Sequence, residues 1–398
     1  MSDRTLPEVN PGVGSRVFAL GAVYFFSLAG VQVWTYIPRY FTAIGLSGAA
    51  IGTIFAAKSI AQSVVSPGWA SVADRFGATR KIVIFLCLAG VVAIAALPWT
   101  ASFAVILMIM IVYASTSGAT MPLVDALTLD QVGSRRYGVI RAWGSVGFGV
   151  LAIAAALGGL FTTHEGLARL APAALILLSF FAFLSSLALA RGRVEVKTPD
   201  FKRAFGLLNR RALWIVFLIA ALHWASQAPY NLFIVFLCEE RGFSAWVPGL
   251  AVAIGVTAEI FALANGPRLL RALTPARLLL LSVGTTAIRW FFSGVVTDPL
   301  LLLVIQCLHG LTFGAFLVAM MAIIAREVAP EIRATGQAVF YIVVFGLGGA
   351  LGNALSGLVL DHYTAATLFR LSAGLELVLF VVGLMMLPII EPKISTRH

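Results

Sequence analysis

Long apolar runs without a charged residue are the feature of this sequence that most constrains its fold. One of them, "APAALILLSFFAFLSSLALA" at 171–190, continues without interruption. An α-helix needs about 20 apolar residues to cross roughly 30 Å of hydrocarbon. Of the 398 residues, 60% are hydrophobic and only 11% are charged, which is far more apolar than an ordinary soluble domain. The runs therefore predict helices that span a lipid bilayer.

Twelve mostly apolar runs follow one another along the chain, some of them with one or two charged residues. They lie at approximately 16–41, 48–72, 81–98, 101–128, 138–162, 168–190, 212–238, 245–267, 276–296, 299–325, 335–360 and 365–388. The longest polar segment, "RGRVEVKTPDFKRAFGLLNRR" at 191–211, separates the sixth run from the seventh. We therefore predict an all-α membrane protein with a six-helix bundle at 1–190, a linker at 191–211 and a second six-helix bundle at 212–398.

The basic residues are distributed in a way that predicts orientation. A formal charge of +11 is one footprint of nucleic acid binding, but here the basic residues lie in short segments between apolar runs. With both termini on one side, 21 of the 28 Lys and Arg residues lie on that side and four on the other. The positive-inside rule then predicts cytoplasmic termini. We expect a bacterial inner-membrane protein with lipid as its surroundings and no nucleic acid partner.

The two halves of the sequence repeat each other. The segments "GLSGAAIG" at 45–52 and "GFSAWVPG" at 242–249 share Gly, Ser and Gly at matching places, with an offset of 197 residues. The same offset relates Arg80 to Arg277. Matching loops at this spacing are expected when a transporter is built from two related bundles.

A loop motif gives the first family resemblance. The segment "ADRFGATRK" at 73–81 resembles the Asp-Arg-x-Gly-Arg-Arg loop of the major facilitator superfamily. Together with twelve runs, a basic linker and the repeat, it identifies the chain as a member of that superfamily. The resemblance implies transport by alternating access. It also implies a conformational role for four loop residues, Asp74, Arg75, Gly77 and Arg80.

Five further segments narrow the resemblance. They read "YFFS" (24–27), "PLVDA" (122–126), "YGVIRAWGSVGF" (137–148), "VTAEIFALA" (256–264), and "IRW" with "QCLHGLTF" (288–290 and 306–313). They are similar to the phenylpropionate permease group and, more distantly, to the lactose permease group of oligosaccharide/proton symporters. The resemblance implies a cavity at the membrane midplane. It assigns roles to five residues at matching motif positions, namely Asp125, Arg141, Glu259, Arg289 and His309.

Three positions depart from the lactose permease pattern. Phe148 replaces a sugar-stacking Trp, Ala262 replaces an Asn, and Thr312 replaces an acid three residues after His309. The phenylpropionate group is the better match. We therefore predict an aromatic carboxylate as the preferred solute, with an oligosaccharide or a nucleoside as the alternative.

Glu259 is an ionisable acid in the middle of an apolar run. A charged side chain in the bilayer costs at least ~3 kcal/mol on insertion scales, so such residues face a partner, the bundle interior or water. A buried carboxylate beside a cation can load and release a proton. We predict that Glu259 couples proton movement to transport, with Arg289 as its cation and His309 as a hydrogen-bonding or titrating partner. The alternative is a permanent pair of Glu259 and Arg289 that only fixes two helices.

Asp125 and Arg141 lie near the predicted cytoplasmic ends of the fourth and fifth runs. A guanidinium offers a two-pronged donor that suits a carboxylate, so Arg141 is predicted to hold an anionic group of the solute, with Trp143 or Phe148 against its ring. An interfacial ion pair between Asp125 and Arg141 is the competing interpretation.

Polar residues in the seventh run share one face of a helix. His223, Gln227, Tyr230 and Asn231 recur at steps of four, three and one, with Pro229 expected to loosen the backbone. They predict either a cavity wall or hydrogen bonds between helices. Four further residues are substrate-site candidates: Gln306, Gln32, Tyr24 and Lys58. Lys58 either pairs with an acid or a solute anion, or extends to the membrane surface.

Several other classes of function lack their sequence signature. There is no Gly-Lys-Ser/Thr phosphate loop, and the three cysteines show no metal-binding spacing. We therefore predict no metal, no cofactor beyond a proton gradient and no enzymatic activity. The sequence predicts a monomeric proton symporter of a small molecule. An efflux antiporter and a membrane-embedded enzyme or scaffold are the competing classes.

Overall fold

The computed structural model describes residues 11–190 and 211–391, and within them it contains helices and no strand. Twelve of its helical segments are long and apolar enough to cross a membrane. We number them α1 to α12: Arg16–Val33, Gly48–Ala73, Thr79–Trp99, Phe103–Gly133, Arg136–Gly158, His164–Leu187, Arg211–Glu240, Trp246–Ala264, Pro275–Val295, Pro299–Glu327, Thr335–His362 and Ala365–Ile390. The twelve predicted spans are thereby confirmed.

The first predicted span is too long. The helix that contains α1 ends at Val33, and after a turn a separate short helix follows at Ile37–Ala43, with Pro38 in its first turn. Proline lacks the backbone N–H that a continuing helix needs and is well suited to the first turn of a new one. The residues near 37–41 therefore form a connection at the end of the bundle instead of a part of the span.

The predicted break between the fourth and fifth spans is present. The backbone leaves helical geometry at Gly133, where φ is 72° and ψ is 170°, and this separates α4 from α5. Three spans are interrupted within their own length. The α7 segment divides into Arg211–Ala225 and Ala228–Glu240, with Pro229 opening its second part, while α10 and α11 contain π-helical turns at Gly310–Ala315 and Tyr341–Gly348. Such turns in membrane helices free backbone groups for other partners.

The sequence repeat is visible in the backbone. Gly45 and Gly242, which are 197 residues apart, both have positive φ, at 95° and 67°. Each precedes the start of a span, α2 in the first half and α8 in the second. The chain therefore forms two related six-helix bundles. The predicted linker at 191–211 lies outside the described residues except for Arg211, so the domain boundaries stay a prediction.

The two bundles are joined tightly at one end of the molecule. We call this the far end; it is where α1 joins α2, α5 joins α6, α7 joins α8 and α11 joins α12. There Arg39 donates to Glu239 over 2.7 and 3.0 Å. The carboxylate of Asp361, at the end of α11, accepts from the backbone N–H groups of Gly48 and Ala49, over 2.5 and 2.9 Å. These bonds link the two halves and close the far end.

The predicted conformational loop lies at the opposite end. Gly77 lies in the turn between α2 and α3, and Arg75 is exposed. Arg80 donates to the carbonyls of Leu187 and Leu189 over 2.8 and 2.6 Å. A cation at this position satisfies free carbonyls at the end of α6 and just beyond it. The side chain of Asp74 lies outside what the structure describes, and the conformational role of the loop stays a prediction.

Candidate functional site

A cavity of about 600 Å³ lies between the two bundles. Its polar wall includes side chains from α2, α7, α8 and α10, namely Lys58, Gln62, Gln227, Asn231, Glu259 and His309. Aromatic rings form much of the remaining surface: Trp34, Phe55, Phe148, Trp224, Phe313 and Phe345. A concave site with many apolar rings and a few polar groups has the composition expected of a small-molecule site.

The cavity contains only part of the predicted site. Seven of the predicted residues line it: Lys58, Phe148, Gln227, Tyr230, Asn231, Glu259 and His309. The other predicted substrate residues lie elsewhere: Tyr24, Gln32, Asp125, Arg141, Trp143, His223 and Gln306. Their roles in binding stay predictions.

Glu259 projects from α8 into the cavity, with its side chain 21% exposed. Its Oε2 lies 3.6 Å from Nε2 of His309 on α10. The predicted direct partner, Arg289, does not reach the carboxylate within ion-pair distance; His309 lies between them. The three residues form a relay in the order Glu259, His309, Arg289, which leads from the cavity into the bundle.

The hydrogen bond between Arg289 and His309 fixes the state of the imidazole. Nη1 of Arg289 lies 2.8 Å from Nδ1 of His309. A guanidinium can only donate hydrogen bonds, so Nδ1 must be the bare, accepting nitrogen. The hydrogen of the neutral ring is then on Nε2, the nitrogen that faces Glu259. His309 therefore presents an N–H to the carboxylate and cannot gain a second proton without losing its bond to Arg289.

Arg289 is completely buried, and its positive charge is held by neutral groups. Gln306 accepts from Nε and Nη2 over 3.2 and 2.7 Å, and the Thr312 hydroxyl accepts from Nη1 over 3.0 Å. The guanidinium also lies over the rings of Tyr230 and Trp290, at 4.3 and 4.4 Å. Among the described residues no carboxylate lies within ion-pair distance of it. An uncompensated cation of this kind favours negative charge nearby, and Glu259 is the cavity acid to which the relay connects it.

Lys58 is a second cation at the cavity. Its Nζ lies 4.9 Å from the centre of the Trp34 ring, which is within the range of a cation–π contact. It has no carboxylate within ion-pair distance among the described residues. The side chain lines the cavity, and its pairing with a solute anion stays a prediction.

Asp125 and Arg141 form a separate cluster. Nε of Arg141 lies 3.6 Å from Oδ1 of Asp125, and Tyr24 donates to the same oxygen over 2.6 Å. The Arg141 guanidinium also lies 5.8 Å from the Tyr24 ring. Tyr24 is buried, so these contacts tie α1 to the kinked α4–α5 segment. Asp125 and Arg141 form an ion pair in this structure, and the role of Arg141 in solute binding stays a prediction.

Three other predicted residues contact neighbouring helices instead of the cavity. Trp143 is 51% exposed and packs beside Gly21 of α1. Gln32 is buried, and neither polar atom of its amide has a hydrogen-bond partner among the described residues. Gln306 is buried against Arg289. These residues do not line the cavity.

Sequence reasoning missed one buried acid, Glu376 on α12. It is completely buried, and its Oε1 lies 2.8 Å from Nδ1 of His223 and in close contact with the Ser226 hydroxyl. Nε2 of the same His223 lies 3.1 Å from the Thr312 carbonyl. The signal was the same as for Glu259, a carboxylate within an apolar run, "AGLELVLF". His223 therefore faces this acid and not the cavity.

Comparisons with known proteins agree with this architecture. The chain is 26% identical to the probable 3-phenylpropionic acid transporter of Escherichia coli (strain K12) over 87% of this chain and 92% of that protein. It is also 26% identical to the maltose permease of Geobacillus stearothermophilus, over 81% and 82% of the two chains. A crystal structure of a variant of the nucleoside transporter NupG superposes with a TM-score of 0.84 at 20% identity, covering 93% of this chain and 99% of that one.

A match to a family model assigns the chain to a protein family. The model described as the MFS_1 like family matches residues 17–371, which includes all twelve spans except part of the first and most of the last. Twelve apolar helices and transporter relatives make this an integral membrane protein with the fold of the major facilitator superfamily. The chain belongs to the MFS_1 like family.

Proposed function

We propose that this protein is a proton-coupled symporter that moves a small organic solute by alternating access, with an aromatic carboxylate as its preferred solute. The observation that carries the proposal is the position of Glu259, which is open to the cavity and joined through His309 to the buried charge of Arg289. A titratable group at the solute site is what coupling requires, because proton and solute must be exposed to the same side together.

Glu259 is the proton carrier of the relay in this proposal. Arg289 stays charged, and its bond to Nδ1 keeps His309 neutral, so the carboxylate is the member that is free to titrate. The ionised acid is favoured by the N–H of His309 and by the charge behind it. The protonated acid is favoured when the cavity closes and water leaves, since a charge in a dry membrane interior costs at least ~3 kcal/mol. Closing and proton loading therefore favour each other.

The cavity suits a solute with a ring and a negative charge. Lys58 is available to a carboxylate, since it has no acidic partner among the described residues. Trp34 and Phe148 lie on the same surface and offer flat apolar contact to an aromatic ring. The similarity to a probable 3-phenylpropionic acid transporter supports the same class of solute. In this account Lys58 takes the anchoring role that the sequence suggested for Arg141, because Arg141 lies with Asp125 outside the cavity lining.

A nucleoside is the second candidate. The amides of Gln62, Gln227, Asn231 and Asn353 line the cavity and offer the donors and acceptors that sugar hydroxyls and a base require. The fold is shared with a nucleoside transporter. A neutral solute of this kind would leave Lys58 without a partner, which is why we place it second.

The remaining parts of the proposal concern location and direction. The distribution of basic residues supports cytoplasmic termini in a bacterial inner membrane. With that orientation, the far end faces outward, and the bonds of Arg39 and Asp361 hold the outward side closed. We propose a monomer that has no enzymatic activity and uses the proton gradient as its source of energy.

Flux measurements in proteoliposomes test the proposal. The purified protein is reconstituted with a pH-sensitive dye trapped inside, and 3-phenylpropionate, uridine or maltose is added outside without an imposed gradient. We expect 3-phenylpropionate to acidify the lumen, and an equal concentration of uridine or maltose to have a smaller effect. If uridine acidifies the lumen and 3-phenylpropionate does not, the result would instead support a nucleoside as the solute. Alkalinisation would indicate antiport, and no pH change with any solute would contradict proton coupling.

A further inference from the structure

We propose that Glu376 and His223 form a second proton-binding site in the C-terminal bundle, and that Thr312 links it to the relay of Glu259. This inference deepens the proton coupling proposed above and depends on it for its use in transport. The site lies outside the cavity lining, on α7 and α12, and both side chains are buried.

The geometry around His223 requires a proton in addition to those of a neutral ring and an ionised acid. Nε2 lies 3.1 Å from the Thr312 carbonyl, which can only accept, so Nε2 carries a hydrogen. Nδ1 lies 2.8 Å from Oε1 of Glu376. Two bare lone pairs would repel at this distance. We infer that a hydrogen lies between Nδ1 and Oε1 and relieves this repulsion, although the contact does not meet the geometry of a hydrogen bond at Nδ1.

The surroundings favour placing that proton on the acid. The second carboxyl oxygen, Oε2, is buried and has no hydrogen-bond partner among the described residues, which is costly for a charged carboxylate and less so for a neutral carboxyl group. A positively charged His223 would also add a second cation near Arg289, which already lies within hydrogen-bond distance of Thr312. The site is thus a neutral carboxylic acid that donates to a neutral imidazole.

Thr312 connects the two acids through its two oxygen atoms. Its hydroxyl accepts from Nη1 of Arg289 over 3.0 Å, and its backbone carbonyl lies 3.1 Å from Nε2 of His223. The residue lies in the π-helical turn Gly310–Ala315. A change in charge at Glu259 acts on Arg289 through His309, and a shift of Arg289 displaces Thr312. Loss of the Glu376 proton to water would leave a bare carboxylate for which Arg289 is the nearest compensating cation along this chain of bonds.

Apart from His223, no ionisable group is bonded to Glu376 in the part of the chain that the structure describes. The helices packed against α12 are α7, α9 and α11. From α7 the facing groups are His223 and Ser226, and from α9 Trp290 donates to Ser226 over 3.4 Å. The remaining described ionisable side chains on α9, α11 and α12 lie near the ends of these helices or on the relay itself: Arg277, Arg289, Tyr341, Asp361, His362 and Arg370.

Infrared spectroscopy of the full-length protein in lipid nanodiscs tests this site without any solute. A protonated carboxyl group has a C=O stretch that shifts in D₂O, and we expect one such band at neutral pH. Glu376→Gln should remove it, whereas Glu259→Gln should retain it. The Gln amide can still donate to Nδ1, so this variant is expected to fold. His223→Gln is a second variant, in which the band should shift because the acceptor of the carboxyl proton has changed.

The pH dependence of the band tests whether Glu376 exchanges its proton with water and whether Glu259 influences this exchange. Raising the pH should remove the band and lowering it should restore it, and the midpoint should shift when Glu259 is changed to Gln. Thr312→Val, which removes the hydroxyl and keeps the carbonyl, should abolish most of that shift. A band that persists in Glu376→Gln would overturn the inference. So would a band that neither Glu376→Gln nor His223→Gln changes. So would a band that never titrates, since it would make the acid purely structural. Symport could still be observed in each case, so the proposed function is tested separately.

Discussion

Arg39 and Glu239 join the two bundles through two hydrogen bonds, from Nε over 2.7 Å and from Nη2 over 3.0 Å. Arg39 lies in the short helix Ile37–Ala43, and Glu239 ends α7, so the pair connects opposite halves at the far end. Hydrogen bonding to Glu239 raises the pKa of Arg39 above its ordinary value. The cation therefore stays charged at any physiological pH, and the pair opposes opening of the far end.

Arg39→Ala should make the far end open more often. A partly exposed ion pair contributes about 1 kcal/mol, which corresponds to roughly a fivefold change in population. The measurement is the labelling rate of a single cysteine at Ser145, a cavity residue, by an impermeant maleimide added from the far-end side, with the native cysteines replaced. Arg169→Ala is the matched control, because Arg169 pairs with Glu165 within the same helix. Equal labelling rates in the two variants would show that Arg39 does not hold the far end closed.

Gly357→Ala should hinder closure of the far end by steric means. A Cβ at this position on α11 would lie 2.8 Å from Cα of Gly52 on α2 and closer still to the Gly48 carbonyl oxygen. Overpacking of this kind costs about 1–3 kcal/mol. We expect faster labelling at the far end and slower transport. Gly374→Ala is the control, since nothing lies within 4 Å of its added Cβ; a similar loss in that variant would point to a general effect of helix substitution.

Lys58→Gln should weaken the binding of a carboxylate solute. A hydrogen bond to a charged group contributes about 1.5–3 kcal/mol, so we expect the Kd for 3-phenylpropionate to rise at least tenfold, with Lys58→Arg closer to the wild type. Calorimetry on the purified protein measures the effect. Arg141→Gln provides the comparison: a larger loss there than in Lys58→Gln would restore the anchoring role to Arg141 and contradict the cavity assignment.

Gln306→Leu should destabilise the protein while preserving side-chain volume. The substitution removes the oxygen that accepts from two nitrogens of the buried Arg289, and leaving such donors unpaired costs about 2 kcal/mol or more. Thermal unfolding should begin at a lower temperature than in the wild type. Gln337→Leu is a suitable control, because the side-chain amide of Gln337 donates a weak hydrogen bond to the Met321 sulfur over 3.8 Å. Equal unfolding temperatures would show that Arg289 needs no such acceptor.

The twelve spans could be predicted because hydrophobic length is a property of the sequence alone. Most of their interruptions could not. Pro229 indicated the break in α7, but the turn before Ile37–Ala43 and the π-helical turns of α10 and α11 depend on tertiary packing. The polar stretch between α4 and α5 forms only a short break at Gly133, because glycine can adopt the positive φ that ends one helix before the next begins.

The members of the relay could be predicted from the sequence, but their arrangement could not. Motif position was enough to bring Glu259, Arg289 and His309 together, but their order required knowledge of how α8, α9 and α10 are rotated. His223 shares a helical face with Gln227 in an ideal helix. The break of α7 after Ala225 separates them, so Gln227 lines the cavity while His223 turns to Glu376. Glu376 also lies in an apolar run, but outside the segments that carry the family resemblance, so the resemblance did not indicate it.

Glu259→Gln tests the central claim most directly. Proteoliposomes carrying this variant are given an inward proton gradient and labelled 3-phenylpropionate, and both net accumulation and solute exchange are measured, with Asp130→Asn as an exposed acid control. We predict that the variant loses gradient-driven accumulation and retains exchange, because the neutral amide leaves the cavity intact and can no longer carry a proton. Accumulation equal to that of the wild type and of Asp130→Asn would contradict the account.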